Sequence, residues 1–571
     1  MNNEKFYTVG IGGAAGDGIR EAGLHLAMML HQLGYYTFLS FDHPSLIRGG
    51  HNYSRISFSK EKVWCDHTKL DVLIAVNSET VKLHEKELSD NGVIVVEESY
   101  LDETKEVAAK TIPVPFSVLT EEQKAVPIAR TSVALGIFSF ITGIPFEKMR
   151  ELVQKSFEES KVEMNLGLAE NGFRYAEEKA VAKWTEGLSL GERNDATEIV
   201  DGNEAVGKGL LASKLNFFIA YPMTPASSVL HFLAKEAVAR EDLKTIQPED
   251  EIGAINMAIG VAYSGKRTAI GTATGGFALM QEAFSFAGMS ETPLVAVVSQ
   301  RPGPATGVPT GTSQGDLKFL VNSGHGEFPR LVIAPGDAEE AYYTGALALD
   351  LSWKYQIPSI VLLDKQLSES AQTVLFEPNK IAHEEAKSWN DDGKPYARYR
   401  DTEDGVSPLA FPGTPNAVVK LTSYEHDEEG ISTETPELVT KMIDKRFKKR
   451  DILMKEVSKY ETMKIYGDTS ADILVIFWGS TKGAVLEAAK YLTKPVKLIQ
   501  VLWMEPFDTA RIKNELQSAR MIVDIEGNHD AQLVSLLREK NNISPTHTIL
   551  QYNSKPFDPV ELAAKINALI A

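Results

Sequence analysis

The sequence has 571 residues, more than a single hydrophobic core normally accommodates, so we expect three or four domains. Hydrophobic residues make up 43% and charged residues 24% of the chain, as in globular proteins, and no apolar run approaches the length of a membrane span. The 59 basic and 78 acidic residues leave a formal net charge of −19, which argues against a nucleic-acid surface.

The single cysteine, Cys65, limits the metal chemistry that this chain can carry by itself. A disulfide within the chain needs two cysteines, and a cysteine-ligated zinc or iron–sulfur site needs more than one. If the protein passes electrons through a cluster, another chain must carry that cluster. The first five residues lead into a strand without the features of a signal peptide, so we expect a cytoplasmic location.

The first domain is predicted over residues 1–182. Short apolar strands alternate there with helical stretches, at residues 6–10, 36–40, 72–76 and 93–96. This alternation predicts a Rossmann-like α/β domain with a parallel sheet. Residues 183–200 lose the periodicity and are expected to form a linker.

A second α/β domain is predicted over residues 201–375. Its strands include residues 268–272, 294–299, 330–334 and 359–363. Residues 376–468 are polar and poor in strands, and we expect an extended linker that ends in a charged helix. Residues 469–571 alternate strand and helix again. The predicted fold class is therefore multidomain α/β, built on parallel sheets.

The first glycine-rich loop, residues 10–15 (Gly-Ile-Gly-Gly-Ala-Ala), follows a predicted strand and precedes a helix. It fits the G-x-G-x-x-A fingerprint of dinucleotide-binding domains, and Asp42 follows the next strand, where a ribose-binding acid would lie. An NAD site, a close strand–helix turn without a ligand, and a site for another phosphorylated ligand all fit this pattern. Further on, Arg48 next to paired glycines suits a phosphate or partner contact, and a salt-bridged turn would have the same sequence.

Residues 16–18 (Gly-Asp-Gly) resemble the start of the motif that binds the magnesium diphosphate of thiamine diphosphate. That motif continues to a pair of asparagines. Here the nearest asparagine, Asn52, is too distant and stands alone, so we reject the match. The chain is therefore expected to lack a diphosphate–metal site of its own.

The segment Tyr221-Pro222-Met-Thr224-Pro-Ala-Ser227 lies between an apolar strand and an amphipathic helix. Prolines on either side of Thr224 fix the backbone of this loop. Its hydroxyl groups and the free amides of the next helix then suit a bound carboxylate, although an ordinary helix cap has the same pattern.

Three later segments belong to the same predicted sheet edge. Residues 249–251 (Glu-Asp-Glu) begin a helix of small residues, where acids usually complement the helix dipole. Gly275 and Gly276 lie between a strand and a helix, and Arg301 begins a rigid loop after another strand. These loops share the carboxyl edge of a parallel sheet, where ligands bind, and an arginine near a threonine hydroxyl suits a small anionic substrate.

Taken in order, these motifs resemble the α subunit of a 2-oxoacid:ferredoxin oxidoreductase, in the form whose γ domain is fused to its N-terminus. The resemblance covers nearly the whole chain. Its motifs are residues 203–205, 221–225, 251–254, 274–276, 300–304, 324–327 and 334–336, with weaker matches at 48–51, 423–427 and 526–528. Met223 and Ala226 depart from the residues common in the family, without affecting Thr224.

The resemblance implies a γ domain at residues 1–182, a pyrimidine-binding domain at 201–375 and a transketolase C-terminal-like domain at 469–571. It implies thiamine diphosphate held between this chain and a β subunit, which carries the diphosphate, Mg²⁺ and a 4Fe–4S cluster. Glu251 would bond the pyrimidine ring, and Thr224 with Arg301 would hold the substrate carboxylate. The further implied cofactor contacts are Tyr221, Pro222, Gly275 and Gly276.

The implied reaction is the coenzyme A-dependent oxidative decarboxylation of a 2-oxoacid, with ferredoxin as electron acceptor or, in reverse, donor. The fused form is similar to 2-oxoglutarate enzymes more often than to pyruvate enzymes, so 2-oxoglutarate is the expected substrate, with pyruvate or branched-chain 2-oxoacids as alternatives. Gly12, Gly13 and Arg48 would contact coenzyme A or a partner, and two αβ heterodimers would assemble.

Two other functions remain as alternatives. An NAD-dependent dehydrogenase would use the first glycine loop but would leave the motifs from residue 221 to residue 307 unexplained. A non-catalytic assembly protein would be expected to lose Glu251, Thr224 or Arg301, and the sequence retains all three.

Overall fold

The computed structural model describes residues 6–44, 50–104, 110–184, 187–391 and 393–571. They divide into two compact units. The first unit comprises Met1–Val200, Ser370–Leu375 and Asp558–Val560, and the second comprises Asp201–Glu369, Phe376–Phe557 and Glu561–Ala571. Within the described ranges, no helix combines the length and the apolarity needed to cross a bilayer.

The first unit contains an eight-stranded sheet flanked by helices, and all elements are numbered here in chain order. Its strands are β1 (Tyr7–Ala14), β2 (Tyr36–Asp42), β3 (His51–Ser59), β4 (Leu70–Ala75), β5 (Leu88–Glu97), β6 (Lys110–Val114), β7 (Thr197–Asp201) and β14 (Ala371–Leu375). Its helices are α1 (Ile19–Gln32), α2 (Ser78–His84), α3 (Phe116–Glu122), α4 (Arg130–Ile141), α5 (Phe146–Ser156) and α6 (Glu159–Glu178).

The strand order of this sheet is β6-β5-β4-β1-β3-β2-β14-β7. The expected parallel pairing is confirmed for β1, β4, β5 and β6. The other half differs, because β3 pairs antiparallel with both β1 and β2, and β14 pairs antiparallel with β2. β2 ends at Asp42 and β3 begins at His51, and a connection of eight residues is shorter than the dozen or more that a parallel crossover needs.

The second unit begins with α7 (Gly202–Ala212) and contains two sheets. The strands of its larger sheet are β8 (Phe217–Ile219), β9 (Lys244–Ile246), β10 (Thr268–Ala273), β11 (Leu294–Gln300), β12 (Leu331–Ile333), β13 (Pro358–Asp364) and β18 (Trp503–Glu505). The accompanying helices are α8 (Ser227–Ala239), α9 (Glu251–Tyr263), α10 (Thr274–Leu279), α11 (Gln281–Met289), α12 (Leu317–Val321), α13 (Ala338–Tyr355) and α14 (Lys365–Glu369).

The smaller sheet consists of β15 (Met463–Gly467), β16 (Ile473–Trp478), β17 (Lys497–Val501), β19 (Met521–Glu526) and β20 (His547–Leu550). The remaining helices are α15 (Pro436–Glu456), α16 (Thr481–Ala488), α17 (Thr509–Leu516), α18 (Gln532–Asn541) and α19 (Pro559–Ile570). The larger sheet has the order β18-β12-β13-β11-β10-β8-β9, and the smaller has β15-β17-β16-β19-β20. Except for β18 and β15, the strands pair in parallel.

A buried ionic cluster fastens α15 to the larger sheet's side of this unit. The carboxylate of Glu291, 1% exposed, accepts hydrogen bonds at 2.7 Å on both oxygens from Lys445 Nζ. Lys449 also pairs with Glu291 and donates to the carbonyl of Gln356 at 3.2 Å. Arg398 donates to the Glu291 carbonyl at 2.7 Å and to Gln356 Oε1 at 2.9 Å. Two lysines thus bind one carboxylate, with Arg398 on the backbone of the same residue, and burial lowers the pKa of Lys449 to about 7.

The pKa of Lys449 predicts a pH-dependent stability. An unfolded lysine keeps its proton up to about pH 10.4, whereas folded Lys449 releases its proton from about pH 7. Between these values the unfolded chain binds more protons, so the free energy of unfolding should rise with pH. We expect Lys449→Met to lose this rise, measured by chemical denaturation at several pH values.

Lys448→Met is the matched control, because Lys448 is the neighbouring lysine of α15 and pairs with Asp401 at a more exposed position. It should keep the wild-type rise. The same rise in Lys449→Met would contradict the assignment of the titration to Lys449.

Candidate active site

Four consecutive strands place the predicted site loops along one edge of the larger sheet. β9, β8, β10 and β11 are neighbours in that order, and each pairs in parallel with the next. The segments that follow them are the loops at residues 247–250, 220–226 and 301–316 and, after β10, the first turn of α10 at residues 274–276. The carboxyl ends of parallel strands lie at the same edge, so the structure brings these four segments together, as the sequence predicts.

Arg301 and Thr224 lie in contact across this edge. Arg301 Nη1 donates a hydrogen bond to the backbone carbonyl of Thr224 at 2.8 Å. Burial lowers the pKa of Arg301, although a guanidinium keeps its proton at neutral pH. Tyr221, at the start of the same loop, is 37% exposed, and Pro222 is half-buried. The Arg301 side chain and the Thr224 loop therefore place a cation beside an edge that is open to solvent.

Asn203, in the first turn of α7, holds the Thr224 loop in place, a role that its sequence pattern did not predict. Its side chain is buried, and its Nδ2 donates to the carbonyl of Pro225 and to Ser228 Oγ, both at 2.7 Å. Asp201 caps the same helix by accepting from the amide of Glu204. The available signal was an asparagine in the first turn of a helix that is already capped, which points to another use of its side chain.

Glu251 is the first residue of α9 and lies almost entirely inside the protein. Asp250 provides the helix cap by accepting a hydrogen bond from the amide of Gly253 at 2.7 Å. The Glu251 side chain is 4% exposed, and its Oε1 has no hydrogen-bond partner among the described residues. Leaving a buried carboxyl oxygen unpaired costs folding free energy, and such atoms are characteristic of ligand sites.

Gly276 explains how the backbone of α10 reaches Glu251. A Cβ atom at Gly276 would lie 2.7 Å from Glu251 Oε1 and 2.2 Å from Thr272 Oγ1, so a larger residue would collide with both. At Gly275, which is exposed, a Cβ atom would meet nothing within 4 Å. The glycine pair therefore packs against Glu251 on one side and leaves open space on the other.

The outward face of α9 is exposed and partly apolar. Ile252 is 48% and Met257 44% exposed, Asn256 is exposed, and the position of a Cβ on Gly260 is in open space. Because this face begins beside Glu251, it extends the candidate site across the surface of the second unit.

In the first unit, the amide of Ala14 in the glycine loop already has an acceptor within the protein. This amide donates to Asp17 Oδ2 at 2.8 Å, and Asp17 is in turn paired with Arg130. A Cβ at Gly13 would lie 2.4 Å from Val76 Cγ2, and one at Gly12 would lie 2.5 Å from Thr80 Cγ2. Close packing therefore requires these glycines, and a carboxylate occupies the place where a fingerprint loop offers an amide to phosphate.

Asp42 does not lie on the strand next to the glycine loop, as the acid of a dinucleotide fold would. It ends β2, and β3 lies between β2 and β1, a separation of two strand spacings, or roughly 10 Å. Arg48, which the sequence predicts to contact a phosphate or a partner, lies outside the described residues.

Two family models match the chain. The model "Pyruvate flavodoxin/ferredoxin oxidoreductase, thiamine diP-bdg" matches residues 208–445. The model "Pyruvate ferredoxin/flavodoxin oxidoreductase" matches residues 8–175. The first match contains Tyr221, Glu251 and Arg301, and the second contains the glycine loop.

Individual proteins match over nearly the full length of the chain or over more than half of it. The chain is 33% identical to the 2-oxoacid:ferredoxin oxidoreductase subunit alpha of Saccharolobus solfataricus, covering 98% of this chain and 97% of that one. It is 32% identical to the 2-oxoglutarate synthase subunit KorA of Methanocaldococcus jannaschii over 57% of this chain and 87% of that one. A solved structure of 2-oxoglutarate:ferredoxin oxidoreductase from Magnetococcus marinus, with 2-oxoglutarate, coenzyme A and succinyl-CoA bound, is 31% identical with a TM-score of 0.90, covering 99% of this chain and 100% of that one.

The unpaired oxygen of Glu251 predicts that the site is held at the expense of stability. Glu251→Gln replaces a buried carboxyl group with a neutral amide of the same shape, so the free energy of unfolding should rise by about 1–3 kcal/mol. Chemical denaturation of the chain alone measures this. Glu249→Gln, an exposed neighbour, is the control and should change it by less than about 0.5 kcal/mol. A loss of stability in Glu251→Gln alone would show that the carboxyl group is satisfied.

Proposed function

Because this chain belongs to the 2-oxoacid:ferredoxin oxidoreductases, as an α subunit, we propose that it forms one wall of a thiamine diphosphate site completed by a β-type chain. The observation that carries the proposal is the buried, unpaired Oε1 of Glu251 beside Gly276. The membership makes the protein part of an oxidoreductase enzyme, in agreement with the motifs in its sequence.

The described residues fit the aminopyrimidine half of the cofactor. Glu251 supplies one buried acceptor for a protonated ring nitrogen, Gly275 leaves open space beside it, and Tyr221 with Pro222 borders the edge. When bound, thiamine diphosphate supplies a carbon nucleophile for the keto group and takes up the electrons left when CO₂ departs. Glu251 holds the proton that keeps the pyrimidine in its reactive tautomer.

Arg301 and Thr224 bind and orient the carboxylate that is lost as CO₂. The guanidinium already lies against the Thr224 loop through its Nη1, and its planar fork suits a carboxylate. Asn203 keeps the loop in place through Pro225 and Ser228. The chain's own residues therefore fix the direction of the bond that breaks, and orientation of this kind accounts for part of an enzyme's rate.

The exposed face of α9 is the contact that we assign to the β chain. Ile252 and Met257 would be buried there, and the β chain would hold the diphosphate, Mg²⁺ and a 4Fe–4S cluster. The chain contributes a single cysteine, Cys65, which is buried, so the cluster's ligands must come from that partner. The active assembly would contain two αβ pairs, with a cytoplasmic location.

The substrate we propose is 2-oxoglutarate, with coenzyme A and ferredoxin. One molecule of 2-oxoglutarate and one of coenzyme A give succinyl-CoA, CO₂ and a proton. The two electrons that are released reduce two molecules of ferredoxin. The similarity to the Magnetococcus marinus enzyme over 99% of this chain supports this choice. Pyruvate or a branched-chain 2-oxoacid is the alternative, and the reaction can run in reverse with reduced ferredoxin. Gly12, Gly13 and Arg48 of the first unit are the residues we assign to coenzyme A or partner contact.

Reconstitution tests the shared site. The chain alone should show no 2-oxoacid oxidation, whereas the chain mixed with a β-type subunit from a relative should reduce a viologen dye when 2-oxoglutarate and coenzyme A are both present. A panel with pyruvate and branched-chain 2-oxoacids identifies the substrate. Activity of the chain without any partner would refute the shared site, and NAD reduction would favour the dehydrogenase alternative.

The role of Arg301 can be tested in the same assembly. Arg301→Ala should lower kcat/KM for the 2-oxoacid by about 100–1000-fold while the complex stays intact, because a preorganised charged donor is lost. Arg301→Lys, which keeps the charge without the fork, should fall in between. Arg240→Ala, at an exposed ion pair with Asp242, is the control. Kinetic constants unchanged in Arg301→Ala would remove this residue from the site.

A further inference from the structure

The segment that carries Arg301 is a closed loop whose two ends meet. Gln300, the last residue of β11, is fully buried, and its Oε1 accepts a hydrogen bond from the amide of Asp316 at 3.0 Å. Residues 301–315 therefore leave the larger sheet and return to the same point. Loops of this length with joined ends are compact, so the contacts of the C-terminal limb, residues 312–315, also affect the position of the N-terminal limb, which begins at Arg301.

We propose that Gln314 is a positioning residue for Arg301, through which the smaller sheet sets the geometry of the substrate-binding loop. The proposal rests on the function proposed above for Arg301. It gives the C-terminal part of the chain a role in catalysis, although none of its residues is assigned to the cofactor or the substrate.

Gln314 makes hydrogen bonds to the carboxyl edge of the smaller sheet through both its backbone and its side chain. Its side chain is 2% exposed, with Nε2 donating to the carbonyl of Trp478 and Oε1 accepting from the amide of Gly527, both at 2.7 Å. Its backbone amide donates to the carbonyl of Gly527 at 2.8 Å, and its carbonyl accepts from Asn528 Nδ2 at 3.2 Å. The side-chain amide and the backbone N–H and C=O of Gln314 are therefore all hydrogen-bonded at the ends of β16 and β19.

Neighbouring contacts hold the same side of the loop. The amide of Thr312 donates to the carbonyl of Ser554 at 3.1 Å, and Gln532 Nε2 donates to the carbonyl of Gly315 at 2.5 Å. Gln532 Oε1 also accepts from the amide of Lys318, the second residue of α12, at 2.9 Å. The C-terminal limb of the loop, residues 312–315, is thus bonded to three segments of the C-terminal region, with Gln314 at the centre.

The N-terminal limb of the loop, which begins at Arg301, contains a turn between residues 302 and 308. The amide of Val308 donates to the carbonyl of Pro302 at 3.0 Å. Gly307 has φ of +53°, and a Cβ there would lie 1.7 Å from the same carbonyl oxygen, so the turn is compact and requires glycine. Arg301 then reaches the Thr224 carbonyl. Loss of the Gln314 hydrogen bonds would free the C-terminal limb of the loop. The guanidinium of Arg301 could then move away from the Thr224 carbonyl.

The test compares two buried glutamines of the same region in the full chain assembled with a β subunit. Gln314→Ala removes the anchor of the loop. Gln500→Ala is the matched control, because Gln500 is fully buried in β17 and its Nε2 donates to Glu340 Oε2 at 2.7 Å, on α13 and away from the loop. Gln314→Glu is the conservative variant, which keeps the acceptor for Gly527 but loses the donor to Trp478.

Two measurements are made on each variant. Hydrogen exchange followed by mass spectrometry should show peptides within residues 302–313 exchanging about tenfold faster in Gln314→Ala, which corresponds to about 1.4 kcal/mol of lost local stability. KM for the 2-oxoacid should rise at least about tenfold, because a displaced guanidinium weakens carboxylate binding. Gln314→Glu should give smaller changes in both, and Gln500→Ala should leave both at wild-type values.

Equal effects of Gln314→Ala and Gln500→Ala on exchange and on KM would overturn the proposal, as would faster exchange of the loop with an unchanged KM. If Gln314→Ala fails to fold, the comparison of Gln314→Glu with Gln500→Ala decides by the same criteria. Failure of the proposed function would look different, since Arg301→Ala would then also leave kcat/KM unchanged while the exchange of residues 302–313 still responded to Gln314.

Discussion

The parallel pairing of β9, β8, β10 and β11 is the constraint on which the candidate site depends. β8 and β9 have three residues each and β10 and β11 have six and seven, and together they fix the spacing at which the chain leaves the sheet. That spacing nevertheless places an acid, a proline-bounded threonine, a glycine pair and an arginine at one edge. The threonine and the arginine are in contact although they are 77 residues apart in the sequence. A change of strand order would separate them without altering any motif.

The same edge shows how the protein balances stability against the requirements of the site. Both side-chain polar atoms of Gln300 are hydrogen-bonded, and Asn203 uses its Nδ2 to hold the Thr224 loop, whereas Glu251 keeps one oxygen unpaired against the backbone of α10. Small residues make this possible, because Gly276 admits no side chain at that point. The packing that surrounds the free oxygen holds it in one place, which is the property that a binding group needs.

The sequence predicted the parts of the fold that follow simple patterns. The apolar strands at residues 294–299 and 473–477 appear within a residue or two of their predicted limits, because fully buried parallel strands are continuously apolar. β3 escaped prediction because serines interrupt its buried apolar residues: Ser54 and Ser57 are both fully buried and hydrogen-bonded to Ile19 and Thr8. No hydrophobic periodicity reveals such a strand.

The sequence predicts candidate members of the site but not the contacts between them. Motif order identified Glu251, Thr224 and Arg301, and the sheet brings Thr224 and Arg301 into contact. The roles of Asn203 and Gln314 could not be inferred, because both depend on partners distant in sequence: Asn203 bonds to a residue 22 positions away and Gln314 to one 213 positions away. The glycine loop shows the same limit, because its pattern fits several kinds of site, and the hydrogen bond from the amide of Ala14 to Asp17 is visible only in the folded chain.

The strand β14 has a consequence for how this protein comes to be folded. It lies between β2 and β7 in the sheet of the first unit, yet residues 202–369 of the second unit precede it in the chain. During synthesis, β2 must wait for more than half of the polypeptide to emerge before Thr37 can meet Thr373. Until then its edge is exposed to other nascent strands, which makes this the point where a chaperone would be most useful.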